Sequence, residues 1–70
     1  MNQSKDEANF HRLSVKHREL EERLAVLAGR RFPTEAEKLE ESTLKKMKLK
    51  VKDEMESILL QRPELAGRNG

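Results

Sequence analysis

Cysteine, Trp and Tyr are absent from the 70 residues, and Phe occurs only twice. Without thiols there is neither a disulfide framework nor a thiolate metal site, so the fold must rest on apolar packing. The scarcity of aromatic rings leaves little on which unpaired bases could stack. No apolar run approaches the ~18 residues a membrane span requires, and Met1-Asn2-Gln3-Ser4-Lys5-Asp6 lacks the apolar core of a secretory signal. The expectation is a cytoplasmic protein with no membrane span. Charge of one sign is not in large excess either. Fifteen basic and 13 acidic residues leave a net charge of +2. Before Pro33 there are 7 basic and 5 acidic residues, and after it 8 of each. A polyanion partner must therefore be argued from local clusters, not from the total.

What the chain does have is periodicity. Forty per cent of the residues are charged, a level that suits disorder, but the apolar residues recur at helical spacing. Phe10, Leu13, His17, Leu20, Leu24 and Leu27 follow steps of three and four, a heptad-like stripe about 100° wide. Ser4 and Glu7 have the spacing of a capping box, and Gly29 can supply the left-handed residue that closes a helix. Helix one is expected over about 5–28 and a loop over 29–34. Thr34 and Glu37 form a second capping box, and Glu35 and Glu37 suit the positive end of a helix dipole. Helix two is expected over about 35–61, with Leu44, Met47, Val51, Met55 and Ile58 on one stripe. Residues 63–70, with Pro63, Gly67 and Gly70, read as a flexible tail.

Both helices are roughly 35 to 40 Å long at ~1.5 Å per residue, and a short connection makes them antiparallel. The expected fold is all-α: two long helices in an antiparallel, coiled-coil-like hairpin. Facing positions should sum to about 64, placing Leu20 near Leu44 and Leu13 near Val51.

One segment carries a family likeness. Lys48-Leu49-Lys50-Val51-Lys52-Asp53-Glu54-Met55, with Leu59 four residues on, resembles the alternating Lys/apolar run followed by Lys-Asp-Glu of the YdcH-like family of short bacterial proteins, a domain of unknown function. Lys16-His17-Arg18-Glu19-Leu20 is similar to that family's first-helix segment. The resemblance covers roughly residues 10–59 and departs at Arg30-Arg31-Phe32-Pro33 and before Phe10. It implies a helical hairpin or coiled coil and no catalytic residues.

Chemistry is sparse. His11 and His17 lie about 240° apart on a helix, so they cannot chelate one ion within a chain. His17, on the stripe, reads as a packed seam residue in preference to a pH switch. Ser14, Ser42, Thr43 and Ser57 lie on helical surfaces without a nucleophile turn, and the carboxylates interleave with Lys and Arg as on solvated faces. No enzyme activity, cofactor or metal is expected.

Interaction is the remaining reading. Lys45, Lys46, Lys48, Lys50 and Lys52 form a dense basic run, with Lys45, Lys48 and Lys52 on one side of the stripe and Lys46 and Lys50 on the other. With Arg30 and Arg31 they could contact phosphate, which gives the rival reading of a small nucleic-acid-associated protein. Arg30, Arg31 and Phe32 could instead present a loop tip to a protein, or Phe32 could fold over the hairpin end. Val15, Val26, Leu49 and Leu60 fall nearly opposite the two stripes. A lone hairpin buries little, so these four are expected at an oligomer contact, in a self-associating scaffold or interaction module that also binds an unidentified protein.

Overall fold

The computed structural model describes the backbone from residue 2 to 69 and side chains from residue 5 to 66. Helix α1 spans Asn2–Ala28, helix α2 spans Glu35–Gln61, and a 3-10 helix, here called α3, spans Pro63–Asn69. There is no strand among the described residues. The protein is a helical hairpin, 48 Å long and 19 by 15 Å across.

The α1 stripe makes the core. Phe10, Leu20 and Leu27 are buried, and Leu13, His17 and Leu24 between them are half-buried. Across the seam only Val51 is fully buried, while Leu44, Met55, Ile58 and Leu59 are half-buried. Met47, expected on the α2 stripe, is 38% exposed and sits at the seam's edge. The helices are antiparallel and clasped by ion pairs. Arg23 pairs with Glu40, Arg30 with Glu37, Glu21 with Lys48 and Asp6 with Arg62. The numbers of these partners sum to 63, 67, 69 and 68, so the expected pairing sum of 64 lies at the low edge of the observed range.

The helix ends depart from expectation in three places. First, α1 begins at Asn2, because nothing between it and Phe10 breaks a helix, which puts Ser4 inside the first turn. The Ser4 side chain lies outside the described ones, and the proposed Ser4 capping box with it. Second, Gly29 is not left-handed, since no described glycine has a positive φ. The helix closes by tightening instead. Gly29 N–H donates to the Ala25 and Val26 carbonyls at 3.1 and 3.2 Å, and Arg30 N–H to Leu27 at 3.1 Å.

The third departure is a correction to the flexible tail. After Arg62 the chain turns into α3, and Leu65 is 2% exposed, the most fully buried side chain described. Proline ends α2 but is also suited to the first position of a new helical turn, where its missing N–H costs nothing. Arg62 holds the junction. Its guanidinium lies 2.6 Å from Glu64 and 3.9 Å from Asp6 on α1. The start of α2 needs no correction: the Thr34 hydroxyl accepts from Glu37 N–H at 3.1 Å, and the Glu37 carboxylate accepts from Thr34 N–H at 2.9 Å.

Candidate interaction surface

With side chains placed, seven large apolar residues among those described are exposed: Val15, Val26, Phe32, Leu39, Met47, Leu49 and Leu60. Among the described residues only five are buried. Large apolar side chains left exposed thus outnumber those fully buried among the described residues.

The four residues expected at an oligomer contact do not gather into one patch. Val15 and Val26, three helical turns apart, lie on the outward side of α1, and Leu49 and Leu60, also three turns apart, lie on α2. Leu60 is 86% and Leu49 61% exposed. Leu49 also lines a shallow groove on one side of the hairpin with Leu24, Ala28, Glu41, Lys45, Lys48 and Lys52. Ala28 and Glu41 carry no signal within their own helices, and only the pairing of the two helices brings them to one place.

The lysine run divides. Lys45, Lys48 and Lys52 line the groove, and Lys46 and Lys50 do not. Lys48 is 3.3 Å from Glu21, while Lys45, Lys46, Lys50 and Lys52 make no ion pair among the described residues. At the loop, Arg30 is taken up by Glu37 at 3.1 Å, and Phe32 is 87% exposed and so does not cover the hairpin end. Arg31 beside it is exposed. Leu39, 70% exposed, is an apolar surface residue outside the four expected from spacing, although its position five residues before Leu44 places it well off the stripe.

His17 is half-buried at the seam with Nδ1 3.5 Å from a Glu21 oxygen. Among the described residues no group of three or more His, Cys, Asp or Glu could hold a metal ion. Nor, among the described residues, is any helix long and apolar enough to cross a membrane.

The Arg23–Glu40 pair, at 2.8 and 2.9 Å, is the bidentate contact between the helices. The Arg23 hydrogen bonds, aided by its charge and opposed by desolvation, hold the Glu40 carboxyl below its ordinary value of 4.5. A carboxylate with a depressed folded pKa contributes stability above its unfolded pKa, and this is lost as pH falls through the folded one. Glu40→Gln is therefore expected to lower the thermal midpoint slightly at neutral pH and to make no difference in strong acid. The effect is small because both groups are solvent-exposed. An equal difference at both pH values would mean the pair contributes nothing through its charge.

The architecture thus defines a class, small two-helix hairpin proteins with several large apolar side chains exposed on a mainly charged surface. A family model described as "Protein of unknown function (DUF465)" matches residues 10–59. The chain belongs to this family. The match takes in the α1 stripe from Phe10, the loop and α2 as far as Leu59. No curated protein and no solved structure matches the chain.

Proposed function

We propose that this protein is a small, non-enzymatic interaction or scaffold module that self-associates and presents its helix faces to a protein partner. The observation that supports this reading is the exposure of Leu49, Leu60, Val26 and Val15 on a hairpin with so small a core. Apolar side chains left in water are a driving force for association, at ~25 cal/mol per Å² covered. The Lys48–Met55 run further supports identifying the family with the YdcH-like proteins of bacteria, and a cytoplasmic setting accords with there being no helix among the described residues long and apolar enough to cross a membrane.

The nucleic-acid reading draws less support. Glu21 and Glu37 already engage Lys48 and Arg30, Glu41 lines the same groove as the lysines, and Phe32 is the one exposed aromatic ring among the described residues.

Sedimentation equilibrium over a range of concentrations, with helicity followed by circular dichroism, tests the reading. A helical dimer or higher oligomer is expected, and Leu49→Lys should shift it towards monomer. A parent chain that is monomeric and fully helical at every concentration would overturn self-association.

A further inference from the structure

We infer that the self-association surface is the outward stripe of α2, and that it pairs with the same stripe of a second copy in antiparallel orientation about a two-fold axis. This inference rests on the self-association reading and says which surfaces meet. Along α2, Leu49, Lys52, Glu56 and Leu60 follow at steps of three, four and four, within about 80° of arc and well away from the seam. All four are exposed. Their order is apolar, basic, acidic, apolar. Turned end for end, that order becomes apolar, acidic, basic, apolar, the complement of itself.

A two-fold axis crossing α2 near residues 54 and 55 therefore sets Leu49 of each copy against Leu60 of the other and Lys52 against Glu56. Each contact occurs twice, as an isologous interface requires. Lys52 and Glu56 make no ion pair among the described residues, so both are available to a partner. The stripe also adjoins the groove, because Leu49 and Lys52 are among its lining residues. A second α2 laid on the stripe would partly close that groove.

The outward stripe of α1 lacks this property. Val15, Glu19, Glu22 and Val26 have the same three-turn span, but reversal sets Glu19 against Glu22, like charge against like. Pairing that stripe with α2 of another copy, with Val26 on Leu49 and Val15 on Leu60, sets Glu19 against Glu56. Among these arrangements only α2 on α2 satisfies every charge in the stripe.

The test is a charge swap read by sedimentation equilibrium at low salt. Lys52→Glu alone and Glu56→Lys alone each place like charges face to face at two symmetric points, and each is expected to raise the dimer dissociation constant by about tenfold or more. The double variant Lys52→Glu/Glu56→Lys restores complementarity and should dimerise like the parent. An equimolar mixture of the two single variants should form a mixed dimer, since each then supplies what the other lacks. Circular dichroism on every sample separates lost association from lost helix. Glu19→Lys serves as the control and should leave the dimer unchanged. If the parent associates but the single variants associate as tightly, or the double variant fails to recover, the α2 pairing is wrong while self-association stands. If the parent does not associate at any concentration, both fall together.

Discussion

Leu20→Ala is expected to remove about half of the stability of the fold. Leu20 is 4% exposed at the middle of the α1 stripe, and truncating a buried leucine to alanine costs ~2 to 5 kcal/mol. A chain of this length has a total stability of roughly 4 to 10 kcal/mol, so one such loss is about half of the whole. There is no second core to absorb it, because the other buried residues of the two long helices, Phe10, Leu27 and Val51, belong to the same seam. Urea titration of parent and variant at one fixed protein concentration, followed by helicity, measures the loss. The concentration must be fixed because association adds to apparent stability by mass action. A shift under about 1 kcal/mol would mean that Leu20 is not held in a packed seam.

Leu65→Ala is the second large effect, and it separates two accounts of the segment after Pro63. If that segment were a loose tail, removing one leucine would change nothing. Because Leu65 is 2% exposed, its truncation is expected to cost ~2 to 4 kcal/mol and to lower the midpoint of the main transition. Arg62, tied to both Glu64 and Asp6, links the segment to the start of α1, so its undocking should also raise amide exchange near Asp6. An unchanged urea midpoint would show that the segment unfolds independently of the hairpin.

Much of the fold was legible because a helix repeats its environment every three or four residues. The stripe from Phe10 to Leu27 and the Thr34 cap are local patterns, and local patterns survive folding. Leu65 was not legible for the opposite reason. A single leucine among proline, glycine and charge has no period to reveal it, and its burial depends on how the chain turns after Arg62. Gly29 misled in a similar way, since the residue type permits a left-handed cap without requiring one. Which residues are exposed could be read from the angle around each helix. Which of them share a groove could not, because Leu24, Ala28 and Leu49 meet only through the azimuth at which one helix settles on the other. The charge order of the α2 stripe was present in the sequence throughout, but it becomes meaningful only once Leu49 and Leu60 are placed in solvent.

The turn between the helices has a consequence for how such a protein can drift over generations. At Gly29 a methyl group would meet the Ala25 and Val26 carbonyl oxygens at 3.6 Å, an ordinary contact, and the backbone there is one that other residues adopt. The helix therefore ends through main-chain hydrogen bonds that side-chain identity barely affects. Arg30 contributes one ion pair, Thr34 caps α2 through its two reciprocal hydrogen bonds with Glu37, and Phe32 projects into water. Selection on folding thus leaves Gly29, Arg31 and Phe32 largely unconstrained while holding the Thr34 cap, so descendants of one ancestor could diversify at those positions and acquire new binding preferences while keeping the same scaffold.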